Sequence, residues 1–223
     1  MEPAVSVYWR ISKIGPIWRG VSGGLNGAGR NSEENDIRFI FYEGTPPRNV
    51  RSISQVWPNA NWTNAAWSQI YNDQLFEPRT IHLDPGASMY KIRSAISGHG
   101  QEGEFIPRTH TISIPGTIDF TRTVWTQCSN NPIYPQGGTW VYDRAGWCPG
   151  KNVDVSEYEL TPYVTPGQQI TLDYSMPYIA NPGSSNYRVN NNLITYGPPN
   201  FQDDAAMYKI KQERKLKLGI PAR

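Results

Sequence analysis

The sequence predicts an all-β fold, an antiparallel β-sandwich, and three observations carry that expectation. Short runs rich in Ile, Val, Tyr, Phe and Thr recur along the chain, bounded by glycine, proline and asparagine. Pro 19 and Gly 20 among 223 residues supply punctuation for many tight turns. Trp 8 and Tyr 13 supply bulky, β-favouring side chains, while helix-friendly runs are few and neither a heptad pattern nor an internal repeat is present. A chain of this length buries a substantial core as one unit.

The elements follow in order. In the leader (residues 1–36), Trp9 and Trp18 flank Ile14-Gly15-Pro16-Ile17, Gly20 to Arg30 is glycine-rich, and Asn31 to Asp36 is polar. It reads as a strand and a long loop, and is where a strand borrowed from a neighbouring unit would sit. Ile37 to Glu43 alternates in part and is stopped by Gly44-Thr45-Pro46-Pro47, which is strand punctuation. The same logic marks Val50 to Trp57, Thr80 to Leu83, Tyr90 to Ile96, His110 to Ile114, Phe120 to Thr126, Val153 to Leu160, Gln169 to Tyr174 and Tyr187 to Thr195. Thr63 to Asn72 reads as a short helix. The tail, residues 201–223, changes character: Lys209, Lys211, Arg214, Lys215 and Lys217 stand beside Gln212 and Glu213, which suits a charged, solvated helix or a linker.

Charge and hydropathy exclude several classes. The net charge is +2, and outside the tail the basic residues are scattered, so the electrostatic footprint of a nucleic-acid binder is missing. No run approaches the roughly 18 apolar residues of a membrane-spanning helix. The opening Met1-Glu2-Pro3 lacks the basic and then apolar stretch of a secretion signal. Two cysteines, Cys128 and Cys148, bracket a segment rich in proline and glycine. They are either two reduced thiols or a bridge closing a loop of roughly 20 residues, which contributes about 3 kcal/mol and implies an oxidising compartment.

The chemistry concentrates between Arg93 and Gly150. Ser97-Gly98-His99-Gly100-Gln101-Glu102-Gly103-Glu104, then Arg108-Thr109-His110-Thr111, then Tyr142-Asp143-Arg144-Ala145-Gly146-Trp147-Cys148-Pro149-Gly150 put carboxylates, imidazoles and an arginine into glycine-rich loops between strands. A rigid β scaffold presents function on such loops. These motifs, in this order and with a cysteine and Asn-Pro between them, resemble the C-terminal domain of the peptide-N-glycosidase F family, bacterial amidases that remove whole asparagine-linked glycans. The likeness runs from about Arg38 to about Leu193. It implies a jelly roll of about eight strands over residues 37–200, the second of two that stand side by side around a cleft. It also implies pairing of Cys128 with Cys148, a secreted or periplasmic location, an N-glycan or glycopeptide as substrate, and no cofactor.

Residue by residue, the resemblance places Glu104, four residues before Arg-Thr-His-Thr, at the cleft position that polarises substrate. Read for itself, a glutamate between Gly103 and Phe105 sits at a turn with an aromatic beside it, a setting suited to acid work. Arg144 offers a planar fork of donors to a carbonyl or to sugar oxygens, or else a salt bridge to a loop acid. Glu102 competes for the role of Glu104, and Phe105 and Trp140 are candidates to stack on sugar rings. Trp147, beside a cysteine, reads as core. His99 departs from the family pattern, where a tryptophan tends to stand, and exchanges a stacking plate for a titratable ring. His99, Glu102, Glu104 and His110 are also conceivable metal ligands of a cupin-like site; loose spacing of this kind is a weak signal, and no metal is expected.

One element of the family chemistry is absent from this sequence. Amide hydrolysis needs a base or nucleophile at the carbonyl and a group to stabilise the oxyanion. The family takes its essential aspartate from a Trp-Asp-Arg motif in the first jelly roll, and no Trp-Asp-Arg occurs here. The expected function is therefore the C-terminal half of such an amidase, incomplete without a first jelly roll or a partner chain. The alternative is an inactive jelly roll that binds glycan or serves as a packing block.

Overall fold

A computed structural model describes residues 6–11, 35–40, 45–131 and 138–201. The glycine-rich leader loop, the charged helix or linker expected of the tail beyond Phe201, and the end of the strand expected at Ile37 to Glu43 lie outside the described residues. Among the described residues there are eleven strands: β1 (Ser6–Ile11), β2 (Asn35–Ile40), β3 (Arg48–Gln55), β4 (Ala65–Ala66), β5 (Arg79–His82), β6 (Met89–His99), β7 (Arg108–Ile114), β8 (Ile118–Val124), β9 (Val155–Glu159), β10 (Gln169–Ser175) and β11 (Asn186–Pro199). Two short helices, α1 (Trp67–Tyr71) and α2 (Gln101–Glu104), and a 3₁₀ turn at Thr161–Tyr163 complete the elements.

All pairings are antiparallel. One sheet runs β5-β10-β7-β8, and the other runs β3-β11-β6-β9 with β4 added to β11. β1 and β2 form a two-stranded antiparallel sheet in which Ser6 stands opposite Ile40. Nearly every connection after β5 crosses from one sheet to the other; only the tight β7–β8 turn stays within a sheet. That is jelly-roll winding, and it brings several loops to each end of the sandwich.

Period-two alternation decides what goes inside. In β10 the inward residues are Ile170, Leu172 and Tyr174; in β6 they are Tyr90, Ile92 and Ile96; in β11 they are Tyr187, Val189 and Leu193. Burying each such side chain contributes about 1.5–3 kcal/mol. Trp57, Phe76 and Tyr174 pack on one another at 4.8–6.0 Å between ring centroids. His110 is a core residue too: its Nδ1 meets the Tyr174 hydroxyl at 2.6 Å, and its ring lies edge-on to Tyr187.

The differences from expectation have local causes. The expected strand Val50 to Trp57 ends two residues early because Val56 and Trp57 turn into the core, where the Trp57 indole N–H donates to the Glu77 carbonyl at 2.8 Å. The helix expected at Thr63 to Asn72 shortens to α1 because Ala65 and Ala66 pair with Tyr187 and Asn186 instead. The glycine-rich stretch after Ser97, read as loop, continues β6 to His99 and then makes the turn of α2. No described helix is long and apolar enough to cross a membrane.

Cys128 and Cys148 form a disulfide that closes a loop twenty residues apart in sequence. Replacing both cysteines with serine is expected to lower unfolding free energy by about 3 kcal/mol in urea denaturation, the loop-closure value for this length.

Candidate functional site

The site is assembled where the end of β6, helix α2 and the 139–148 loop meet. The loop is threaded between the other two: the Gly98 N–H donates to the Ala145 carbonyl, and the Ala145 N–H donates to the Glu104 carbonyl, both at 2.9 Å. Close approach dictates the small residues. A Cβ on Gly98 would stand 2.0 Å from the Gly103 carbonyl oxygen and 2.6 Å from the Ala145 Cβ. Gly146 has φ +78°, and its Cβ would lie 2.1 Å from the Ile96 carbonyl oxygen. Two of the motif glycines are thus required by threading rather than by chemistry.

Arg144 is 3% exposed, and its guanidinium is the centre of the loop. Nε donates to Glu104 Oε1 at 2.6 Å, Nη1 to the carbonyls of Trp140 and Tyr142 at 3.3 and 3.1 Å, and Nη2 to the carbonyl and hydroxyl of Thr139 at 2.9 and 3.0 Å. All five N–H donors of an arginine are accounted for by these acceptors. Phe105 and Trp147 each lie 5.2 Å from the guanidinium carbon, so the cation is also held by aromatic rings. The backbone of Arg144 is fixed as well, through reciprocal bonds with Thr126 at 2.7 and 3.0 Å. Asp143 accepts from the Cys128 N–H at 3.1 Å and ties the loop to the disulfide.

Glu104 therefore meets a buried guanidinium, with its side chain 20% exposed. Glu102, three residues before Phe105 on the same turn, faces elsewhere: its Oε2 accepts from both the amide and the hydroxyl of Ser184 at 2.7 Å. Those bonds hold its carboxyl below the usual glutamate range. His99 Nε2 lies 2.9 Å from the Ser97 hydroxyl, and the imidazole lies nearly parallel to Trp147 at 5.7 Å. Burial, and secondarily the Arg188 cation, push its pKa down to about 4. Trp147 is not in the core as its neighbouring cysteine suggested; its indole N–H needs an acceptor and finds the Gly98 carbonyl at 2.9 Å.

The structure thus brings Glu104, Arg144, Phe105, His99 and the backbone of Trp140 to one end of the sandwich, and sends Glu102 to the 182–185 turn. His110 is a residue of the sandwich interior. Among the described residues no three His, Cys, Asp or Glu side chains are placed to hold a metal ion. Thr139 and Ser184 were not singled out by sequence reasoning. Ser184 meets Glu102 from 82 residues away in the chain, and Thr139 meets Arg144 from five residues away partly through its main-chain carbonyl, so side-chain identity announces neither.

The fold and this site define a class: an antiparallel jelly roll that carries, on glycine-threaded turns at one end, a carboxylate clamped by a buried arginine. Residues 66–195 match the family described as peptide-N-glycosidase F, C terminal, and the chain belongs to that family. A peptide-N(4)-(N-acetyl-beta-D-glucosaminyl)asparagine amidase F of Elizabethkingia miricola is 32% identical over 123 residues, covering 48% of this chain and 33% of the relative. A solved structure described as PNGase F, a glycosylasparaginase from Flavobacterium meningosepticum, superposes with a TM-score of 0.65 at 27% identity, covering 74% of this chain and 58% of the other. A second, described as peptide-N(4)-(N-acetyl-beta-D-glucosaminyl)asparagine amidase, gives 0.63 at 26% identity, with 74% and 59% covered. The chain spans a third of the first and under three fifths of the solved relatives.

Two outcomes follow for stability. Arg144→Met leaves a carboxylate and three carbonyls without their donor and is expected to cost about 3–5 kcal/mol in urea unfolding. His99 and His110, the latter pushed to about 3 by burial, have folded pKa values below the ordinary 6.5. The unfolded chain then binds protons that the folded chain refuses, so stability is full above about pH 6.5 and falls as pH drops toward 4 and 3. Urea midpoints measured from pH 7 to 4 should decline, and less steeply for His99→Gln.

Proposed function

We propose that this chain is the C-terminal, substrate-facing part of an amidase that cleaves asparagine-linked glycans from glycopeptides and acts in an oxidising compartment, secreted or periplasmic. The observation that carries this reading is the 2.6 Å pairing of Glu104 with Arg144 inside the family-matched region. The reaction is hydrolysis: water adds to the side-chain carbonyl carbon of asparagine, the bond from that carbon to the glycosylated nitrogen breaks, and the nitrogen leaves with a proton. Aspartate remains on the peptide and the glycan departs as the glycosylamine.

In this reading Glu104 is the catalytic residue offered to substrate, polarising the scissile linkage by hydrogen bonding. Arg144, whose sequence pattern also suggested direct contact with substrate oxygens, has its donors engaged within the chain. It is a positioning residue that holds the glutamate in one orientation before substrate arrives, which lowers the cost of reaching reactive geometry. Phe105, beside Arg144, and Trp140 supply aromatic surface for sugar rings, and His99, stacked on Trp147, offers a neutral imidazole at the same end of the sandwich. Glu102 contributes through the shape of the 182–185 turn. The base or nucleophile for the attacking water comes from a first jelly roll or a partner chain, consistent with the missing Trp-Asp-Arg motif. The disulfide supports the choice of compartment.

The test is mass spectrometry of an N-glycosylated peptide incubated with the chain alone and with a family N-terminal domain added. We expect little or no product from the chain alone, aspartate-containing peptide from the mixture, and a fall of at least roughly a hundredfold in that rate with Glu104→Gln. Binding without product in the mixture would replace the amidase reading with a glycan-binding module, and neither binding nor product would leave a packing block.

A further inference from the structure

A second aromatic cluster stands at the same end of the sandwich, outside the Glu104 turn. The tyrosines of the interior, Tyr90, Tyr174 and Tyr187, are at most 1% exposed, whereas Tyr71 is 43% and Tyr178 69% exposed. Neither ring is loose. Tyr71 stacks on the buried Trp67 at 4.9 Å and 18° between planes, and Tyr178 stands edge-on to both, 6.1 Å from Trp67 and 5.9 Å from Tyr71. Trp67 is anchored by its indole N–H, which donates to the Pro177 carbonyl at 3.2 Å in the segment that carries Tyr178.

The backbone beneath is held in place as well. Trp62 and Asp73, on either side of the β4–α1 unit, are the non-glycine residues in the left-handed region among those described, at φ 55° and 53°. Such conformations cost on the order of 1–3 kcal/mol, persist where surroundings over-determine them, and gather at ligand sites. The Trp67 N–H donates to the Ser185 carbonyl at 3.0 Å, next to the Ser184 that Glu102 grips. Across the sheet Ala66 pairs with Asn186, and Asn186 pairs with His99. Two strand spacings, roughly 10 Å, thus separate the start of α1 from the end of β6. A separation of that order exceeds one pyranose ring and is within reach of an oligosaccharide.

We propose that Tyr71 and Tyr178 form an outer sugar-binding surface, separate from the Glu104 turn, that stacks on a pyranose ring of the glycan beyond its asparagine-linked sugar. The inference rests on the amidase reading above and extends it. A pyranose presents a face of polarised C–H bonds, which complements the negative face of an aromatic ring, and two phenol hydroxyls at the rim can exchange hydrogen bonds with sugar hydroxyls. Rings already ordered by Trp67 lose little freedom when the sugar arrives.

Isothermal calorimetry tests this with one peptide in two glycoforms, bearing either a single N-acetylglucosamine or a branched, mannose-terminated glycan. The wild-type chain should bind the branched form more tightly. Tyr178→Ala and Tyr71→Ala should each weaken the branched form roughly three- to tenfold and leave the short form unchanged, while Tyr178→Phe retains the preference. Tyr178 is the more exposed, so its variant keeps the test meaningful if Tyr71→Ala unfolds. Equal affinity of wild type for the two forms, or equal loss of both in the Tyr178 variant, overturns the outer surface while the amidase reading stands. Binding of neither form by wild type also overturns the outer surface, while the amidase reading is decided separately by product formation in the mixture with the N-terminal domain.

Discussion

A guanidinium with every donor used inside the chain is the constraint on which the site depends. Burying a charge is costly unless it is paired and hydrogen-bonded, and Arg144 meets that demand with one carboxylate, three carbonyls and a hydroxyl. The result is geometric as much as energetic. Thr139, Trp140 and Tyr142 are held in a ring around the cation, and Glu104, on another element, is held to the same centre. Removing the arginine would disorganise the loop and release the glutamate together.

The sandwich provides what that centre needs. Jelly-roll winding returns the chain repeatedly to one end, so β6, α2 and the 139–148 loop reach a common place although Glu104 and Arg144 are forty residues apart. The interior beneath them is filled by buried side chains, with Tyr187 fully buried opposite Gly98. The disulfide and Asp143 secure the far side of the loop. Glu102, pinning the 182–185 turn to the same helical turn, joins the end of β10's connection to the site that its neighbour Glu104 occupies.

How legible this was depended on the range of the interactions. Strand β10 could be read directly, because Ile170, Leu172 and Tyr174 alternate with polar residues and alternation is a local property. The motif residues could be read as site-like because glutamate, arginine and histidine among glycines are rare in scaffold. The turn of α2 was not legible: four residues with a central glycine carry no helical signal, and they wind because Glu104 N–H reaches the Gly100 carbonyl while Glu102 is drawn to Ser184. The partners of Arg144 were hidden for another reason. Three of them are main-chain carbonyls, which every residue possesses, so side-chain identity says nothing about them. Trp147 was misjudged on the same ground, since its acceptor is the backbone of Gly98.

The ring of oxygens around Arg144 resembles the coordination shell that other loops build around a bound cation. Here the cation is covalently part of the chain, arrives with it, and has one copy per site by construction. A loop organised in this way cannot be stripped by a chelator, exchanged for a competing ion, or left empty by scarcity, so its shape is set by synthesis and folding rather than by the composition of the surrounding medium.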